Sequence, residues 1–551
     1  MAVRDEPLAG LAGTDRRLLA GFGALAAIGV LLGGALLGLA LAGGGDLAAA
    51  LAAFDSYLAR VARFTLWQAA LSTILSVLPG MMVARALSRH PAFLGRTLLL
   101  RLFAVPFALP AIVAALGILT LYGRAGLFSG VLLSLSGGTW TGIYGLSGIL
   151  LAHVFFNLPL SARMFLASLD TVPADQWRLA SQLGMGQWAL FRLVEWPVMR
   201  AALPAVAGLV FMLAITSFTI VLTLGGGPQA STLEVAIYQA LRFDFDPARA
   251  VALTALQVLL TGAALAVLRR LGANLAGDAG LSVGHRIRRD TTPAASAIDA
   301  AIIGLAAAFV VGPMLATLIA GLRSDLARLL GEPIFWRATV TSVVLAALAA
   351  GLATLLSLCL AAARRALAKG RGPRAGGLFA ELADTGAGLV LVVPPVVIGA
   401  GWFILLSQTG ADVFVWAPAM VVAVNAVMAM PFSLNAIRPA YDAAGDRYDR
   451  LAAQLGMVGL DRLRLVDWPL LRPVLATGFA FAMALSLGDL GVIALFGSES
   501  VQTLPYLVLG RLGSYRTADA AGLAMLLGLL CLALMAFSDR LGSVRGERTL
   551  G

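Results

Sequence analysis

Long apolar stretches recur along the whole chain and leave few alternatives to a membrane fold. A helix that crosses a bilayer needs about 20 mainly apolar residues, because the hydrocarbon core is about 30 Å thick. Apolar residues make up 60% of the chain and charged residues only 13%, whereas soluble domains carry about 45–50% and about 25%. Stretches of sufficient length lie at 18–42, 63–86, 101–122, 146–165, 201–224, 249–270, 297–321, 338–363, 385–407, 417–437, 472–495 and 519–537. We therefore predict an all-α, polytopic membrane protein with roughly 12 transmembrane helices.

Basic residues are unevenly divided between the loops on the two sides of these spans. If the N-terminus is inside, 30 of the 40 Lys and Arg residues fall on the cytoplasmic side. Cytoplasmic loops carry such an excess, and an odd number of spans in either half would scramble it. The sequence therefore predicts a multi-pass protein of the cell (inner) membrane with six spans per half and both termini cytoplasmic. The basic residues form no continuous stripe or arm, so we expect contact with membrane lipid and not with nucleic acid.

Two short segments of the chain recur with the same separation in residue number, which we call the repeat offset. Gln182-Leu183-Gly184-Met185 returns as Gln454-Leu455-Gly456-Met457, and Val194-Glu195-Trp196-Pro197 returns as Val466-Asp467-Trp468-Pro469. Matches in constant register indicate a duplication. We predict two fused homologous six-helix halves, 1–271 and 297–551, joined by a polar cytoplasmic linker at 272–296. The repeated segments lie in cytoplasmic loops 166–200 and 438–472.

The repeated loops share a pattern with a known family. Gly184, nine residues, Val194, one residue, Trp196 and Pro197 resembles the signature of ABC importer permeases, and Gly456 to Pro469 fits it equally. The resemblance implies a type I permease fold and a coupling helix in each loop that docks on a cytoplasmic ATPase. The implied coupling residues are Arg178, Ala180, Gly184, Pro197, Arg450, Ala452, Gly456 and Pro469.

The motif departs from the family pattern at its first position. Arg178 and Arg450 stand where the family has Glu, which puts in doubt the polar contact made there and not the docking itself. Gly after a helix tolerates a positive φ and makes a protruding knob. The alternative interpretation is that two glycine-broken amphipathic loops simply lie on the membrane surface.

Energy for transport must come from another subunit. A phosphate-binding loop of the Walker type needs Lys followed by Ser or Thr, and the single lysine, Lys369, is followed by Gly370. We therefore expect no catalytic residues and no cofactor in this chain, with ATP and Mg²⁺ used by a partner. The expected partners are two copies of a cytoplasmic ABC ATPase and an extracytoplasmic solute-binding protein.

Longer strings indicate a narrower group. The stretches Leu224 to Gln229, Thr232 to Leu241, Asp246 to Ala250, Tyr57 to Ala69, Gly148 to Pro159, Gly488-Asp489 and Leu512 to Arg516 look like those of thiamine and thiamine pyrophosphate importer permeases. The resemblance implies a thiamine substrate and a thiamine-binding protein as partner. The nearest rival is a fused two-half permease for another solute, such as ferric iron. Ion-driven secondary transport and membrane enzymes are weaker rivals, because intramembrane acids are almost absent and no catalytic constellation occurs.

A few polar residues fall inside the predicted spans, where polar groups are costly and often line a pathway. Asp489, Ser217, Asn157 and Asn425 are the candidate pathway residues. Asp489 lies near the outer end of its span and either meets the cationic thiazolium or pairs with an arginine of a neighbouring span. His153 and Asn157 are better explained by interhelical hydrogen bonds. Cys359 and Cys531 lie in apolar runs, so no metal site is predicted.

Overall fold

The computed structural model describes residues 8–42, 55–138, 140, 142–270, 292–370, 379, 393–457, 459–499 and 501–543. Within these ranges every regular element is a helix. The predicted linker 272–296 lies mostly outside them.

In the first half, long apolar helices alternate with short connecting helices. They are α1 (Leu8–Ala42), α2 (Ser56–Arg89), α3 (Arg96–Leu102), α4 (Val105–Ala108), α5 (Ala111–Tyr122), α6 (Ser129–Leu135), α7 (Leu146–Asp170), α8 (Ala174–Gln182), α9 (Gln187–Leu190), α10 (Trp196–Ile215), α11 (Phe218–Leu224), α12 (Leu233–Arg242) and α13 (Pro247–Arg270).

The second half repeats this order with fewer interruptions. Its helices are α14 (Pro293–Leu322), α15 (Leu326–Gly331), α16 (Pro333–Gly370), α17 (Pro395–Gln408), α18 (Val413–Gln454), α19 (Gly459–Arg462), α20 (Trp468–Gly488), α21 (Gly491–Phe496), α22 (Leu504–Gly513) and α23 (Thr517–Ser543). The all-helical, polytopic class predicted from the sequence is confirmed.

The number of spans in the described residues is smaller than the 12 predicted. Ten helices are long and apolar enough to cross a membrane. An eleventh span results if the bent pair Arg96–Phe107 and Ala111–Tyr122, whose axes differ by 111°, counts as one. The predicted span 385–407 begins outside the described residues, and its described part, α17, has 14 residues.

Two predicted spans are not continuous helices. The span predicted at 201–224 breaks between α10 and α11 at Thr216 and Ser217, and the span at 472–495 breaks between α20 and α21 at Asp489 and Leu490. Ser217 and Asp489 both have extended backbone, and they are separated by the repeat offset. Hydropathy alone missed both breaks, because apolar residues continue through them.

The first helix of each half packs against the other half. α1 lies along α16 and α17, and α14 lies along α5 and α2. The Trp402 indole N–H donates to the Leu31 carbonyl oxygen at 2.8 Å, and the Thr317 hydroxyl donates to the Val113 carbonyl oxygen at 3.3 Å. The buried side chains accordingly form one large cluster that runs through both halves.

Candidate functional site

Each predicted coupling motif lies where a helix ends at a glycine. Gly184 follows α8 with φ of 63°, and Gly456 follows α18 with φ of 64°. The Met185 N–H donates to the Ala180 carbonyl oxygen at 3.1 Å, and the Met457 N–H donates to the Ala452 carbonyl oxygen at 2.9 Å. This pattern is the Schellman motif, in which a left-handed residue turns the chain sharply away from the helix axis.

The motif residues divide into buried and exposed sets. Ala180 and Ala452 are 4% and 2% exposed, and each lies beneath the turn that follows it. Arg178 and Arg450 are exposed, and Arg178 is 3.3 Å from Asp175 of its own helix. The two arginines that replace the family's acidic residue therefore face outward.

Apolar side chains project from both turns. Leu183 and Leu455 occupy equivalent positions in the repeat, and each is 65% exposed. Beside the second turn, a groove of about 380 Å³ is lined mainly by apolar side chains: Tyr448, Leu451, Ala452, Leu455, Met457, Leu465, Val466, Pro469 and Leu470. Pro197 is exposed at the corresponding position of the first half. Exposed apolar groups rimmed by charge are typical of a protein-docking surface.

A π-helical turn lies within each motif, between its glycine and its proline. The turns Phe191–Glu195 and Leu463–Asp467 are likewise equivalent in the repeat, and each ends in a buried acidic residue. The Arg85 Nε–H donates to the Glu195 carboxylate at 2.6 Å, and Arg462 Nε lies 3.4 Å from the Asp467 carboxylate. The Arg85–Glu195 pair joins the first motif to α2, whereas Arg462 braces the second motif internally and Arg17 of α1 lies 3.8 Å from the Asp467 carboxylate.

The two coupling segments differ in how they join the membrane helix before them. In the first half, Thr171 to Pro173 separate α7 from α8, whereas in the second half α18 runs unbroken for 42 residues. Arg365 of α16 supports the continuous helix by donating to Asp442 O, Asp446 Oδ1 and Asp449 Oδ2 at 2.8–2.9 Å. The second motif therefore continues directly from a membrane helix, whereas a three-residue break precedes the helix of the first motif.

The four candidate pathway residues do not form a single cluster. The Asn425 amide N–H of α18 donates to the Ser486 hydroxyl at 2.9 Å, and the Asn425 side chain also lies near the Asp489 carboxylate. Asp489 additionally accepts from the Gly491 N–H at 3.1 Å, so it caps α21. Asn157 is buried in α7 and Ser217 is half-buried at its break, with no hydrogen bond between them and Asp489 among the described residues.

Two alternatives left open by the sequence can now be compared with the geometry. His153 Nδ1 lies 2.7 Å from the Ser72 hydroxyl of α2, which agrees with an interhelical hydrogen bond. Among the described residues, no arginine forms an ion pair with Asp489, whose side-chain partners are Asn425 and backbone N–H groups. In the same part of the chain, no group of three or more His, Cys, Asp or Glu side chains could hold a metal ion.

Sequence reasoning overlooked Glu234. This residue lies in the first turn of α12, between the candidate spans, and is only 1% exposed. Neither of its carboxylate oxygens has a hydrogen-bond partner among the described residues. Burial raises the pKa of Glu234 to about 8, and the nearby charge of Asp489 adds to the increase. A buried acid beside a second acid is unusual enough to mark a functional position.

Comparisons with known proteins agree with this architecture. The family model described as "Binding-protein-dependent transport system inner membrane component" matches residues 76–277 and again 374–544. One match falls almost entirely within the first predicted half, and the other lies within the second.

Similarity to individual curated proteins extends over nearly the whole chain. The chain is 54% identical over 542 residues to the thiamine transport system permease protein ThiP of Brucella abortus (strain 2308), covering 98% of each protein. It is 42% identical over 488 residues to the protein of the same name from Escherichia coli (strain K12), covering 88% of this chain and 90% of the relative. A sulfate transport system permease protein CysW of Synechococcus elongatus is 34% identical over 143 residues, 26% of this chain and 49% of that protein.

Proposed function

The chain belongs to the family of binding-protein-dependent transport system inner membrane components, and from this premise we propose that it carries thiamine compounds across the membrane in an ATP-driven importer. Membership makes it a multi-pass permease of the inner membrane and not an enzyme, which confirms those predictions. The family name also implies a binding protein and an ATPase as partners.

The coupling role of the two motifs supports a partner stoichiometry of two ATPases per chain. The helix, the glycine at positive φ, the exposed leucine and the π-helical turn all recur at the repeat offset. Because the surfaces are repeated, each offers a docking site for the same partner. With both motifs on the cytoplasmic side, both termini are cytoplasmic, as the distribution of basic residues predicts.

The similarity to relatives named as thiamine permeases supports the substrate. It holds at 54% and 42% identity over nearly complete chains, whereas the match to a sulfate permease covers about a quarter of this chain. Thiamine carries a permanently cationic thiazolium ring, and the Asn425–Asp489 pair offers a carboxylate held at a break between membrane helices. We place these two residues in the pathway, with Asn157 and Ser217 as further lining residues of the first half.

The test is ATP hydrolysis by the permease reconstituted in vesicles with its ATPase and with binding protein loaded with thiamine or thiamine pyrophosphate. We expect loaded binding protein to stimulate hydrolysis. The double variant Leu183→Asp, Leu455→Asp should assemble poorly with the ATPase and lose stimulation, because it puts charge on both exposed apolar knobs. Leu127→Asp, an equally accessible leucine of the extracytoplasmic loops, is the control.

The outcomes test the coupling role of the motifs and the thiamine substrate separately. Loss of stimulation in the double variant alone supports both the coupling motifs and the substrate. If the wild-type complex hydrolyses ATP but ignores both thiamine compounds, the substrate assignment is wrong and a fused permease for another solute, such as ferric iron, takes its place. If the double variant behaves like wild type, the motifs are surface loops without a coupling role.

A further inference from the structure

The helix break that contains Asp489 lies at the junction between the two halves. A Cβ atom on Gly488 would lie 3.2 Å from Cα of Pro110, the residue before α5 of the first half. At the far end of α21, the Gly497 carbonyl oxygen accepts a hydrogen bond from Arg242 Nη2 of α12 at 3.2 Å. First-half elements therefore contact the break from both ends.

Glu234 comes to this junction from the first half. α12 packs against α17 and α21 of the second half, and its Leu233 N–H is anchored by the Thr65 hydroxyl of α2 at 3.1 Å. Glu234 lies in the first turn of α12, α12 packs against α21, and Asp489 accepts hydrogen bonds from the first N–H groups of α21. The charge of Asp489 accordingly acts on the buried Glu234 carboxylate. One acid from each half thus meets at the interface.

The two acids differ in how their oxygens are satisfied. Asp489 accepts from the N–H groups of Gly491 and Val492, and Asn425 lies near it. Glu234 accepts nothing from the described residues. It gains no cation from its own helix either, because Arg242 lies two turns away and donates to Gly497. An unpaired buried carboxylate is energetically costly unless it is neutralised or paired.

Packing does not account for an acid at position 234. A helix N-terminus stabilises a carboxylate when its backbone N–H groups donate to it, and Glu234 receives no such bond within the described chain. Glutamine or leucine would fill the same space without the cost of a second acid. A cation between the two carboxylates attracts both of them and offsets part of their mutual repulsion.

We propose that Glu234 and Asp489 form a cation-recognising pair, one acid from each half, that holds the thiazolium ring of the substrate as it passes the junction. This inference rests on the proposed thiamine transport and adds to it a specificity-determining residue, Glu234. Because each acid belongs to a different half, a bound cation also draws the two halves together.

The experiment compares Glu234→Gln, Asp489→Asn and the control Glu499→Gln in the full importer, reconstituted with ATPase and binding protein. Glu499 is an exposed acid of the loop after α21, so its variant makes the same chemical change outside the junction. The readouts are the initial uptake rates of thiamine and thiamine pyrophosphate, and the ATP hydrolysed during uptake. We expect Glu234→Gln to lower thiamine uptake per ATP by about tenfold, the scale of one lost charge interaction.

The ratio of thiamine uptake to thiamine pyrophosphate uptake shows whether a variant acts through charge or through structure. Thiamine pyrophosphate carries its own negative charges, so loss of one acid should lower its uptake less, and the thiamine-to-pyrophosphate ratio should fall in Glu234→Gln and Asp489→Asn but not in Glu499→Gln. Glu234→Asp, which keeps the charge, should restore part of the ratio. These shifts require a charge effect on the substrate, which a purely structural role would not produce.

Two results overturn the inference. Equal losses for both compounds, in step with ATP hydrolysis, would mean that Glu234 only supports packing of the halves. Uptake in Glu234→Gln equal to that in Glu499→Gln would remove the residue from the pathway altogether. If wild type transports neither compound, the proposed function fails first, so the two failures are distinguishable.

Discussion

Gly184 and Gly456 fix the direction in which the chain leaves each coupling helix. Both have positive φ, and a Cβ atom added at either position meets no atom within 4 Å. A side chain there is therefore opposed only by the backbone conformation, which costs a non-glycine residue roughly 1–2 kcal/mol. The turn can relieve that cost by unwinding, which would displace the exposed leucine beside it.

We expect Gly184→Ala and Gly456→Ala each to reduce the ATP hydrolysis stimulated by loaded binding protein several-fold, and the double variant to reduce it further. The matched control is Gly410→Ala, which has φ of 73° and equally open space in a loop distant from both motifs. Its loss of thermal stability should be similar, with stimulation intact. Equal stimulation in all four proteins would contradict a coupling role for the turns.

The sequence predicted these glycines but not Glu234, and the reason lies in the range of the interactions. A Schellman turn depends on residues within one helical turn, so the repeated Gly-Met pair after an amphipathic segment was sufficient to predict it. Glu234 comes two residues after the N-cap Thr232, so the sequence indicates only an ordinary acid in the first turn of a helix. The helix that carries it packs against α13 and also against α17 and α21, which belong to the second half of the chain.

Among the helices, α18 stands out because it continues from the membrane into the second coupling motif without a break. Its cytoplasmic end carries Asp442, Asp446 and Asp449, and the guanidinium of Arg365 from α16 binds all three. Gly445 gives that guanidinium room to approach the helix, because a Cβ atom there would overlap it. At the equivalent position of the first half, Pro173 separates α7 from α8.

We expect Arg365→Met to destabilise the protein by roughly 1–3 kcal/mol, because the Asp446 and Asp449 carboxylates and the Asp442 carbonyl oxygen lose a shared donor while the side-chain volume is largely kept. The measurement is the thermal unfolding midpoint in detergent. Arg447→Met, an exposed arginine of the same region, should change it little. An unaltered midpoint for Arg365→Met would show that the stability of α18 does not depend on the contacts of Arg365 with the three aspartates.

Hydropathy located the membrane helices but not their interruptions. The apolar character of residues 201–224 and 472–495 is continuous, yet the helices break at Ser217 and Asp489. A break is a property of backbone hydrogen bonding, and the residues around it can be as apolar as the helix itself. The symmetric position of the two breaks was visible only after the repeat offset could be applied to the structure.

At the scale of the whole molecule, the halves are joined by an exchange of their first helices. α1 approaches α17 so closely that a Cβ atom on Gly38 would overlap the Gly401 carbonyl oxygen, and Gly401 in turn lies against Ala35. Small residues allow such close approach between membrane helices. At another contact between the halves, Arg89 of α2 pairs with the buried Asp299 of α14 at 3.2 Å.

We expect Gly38→Ala to weaken the association of the halves by about 1–3 kcal/mol, the usual cost of overpacking. Gly33→Ala is the control, because it lies in the same helix and its Cβ atom would meet nothing within 4 Å. Thermal unfolding of the full chain is the measurement. Equal midpoints for the two variants would argue against tight packing of α1 on α17.

Because α1 packs on the second half, it must wait for its partner helix during biosynthesis. The hydrogen bond between Leu31 and Trp402 joins residues 371 positions apart, and ribosomes add about 5–20 residues per second. α1 therefore enters the bilayer roughly 20–75 s before its partner helix exists, with its packing face against lipid. The first half therefore completes its packing only after the second half has been made. During that interval, α1 is accessible to proteins that recognise unassembled membrane helices.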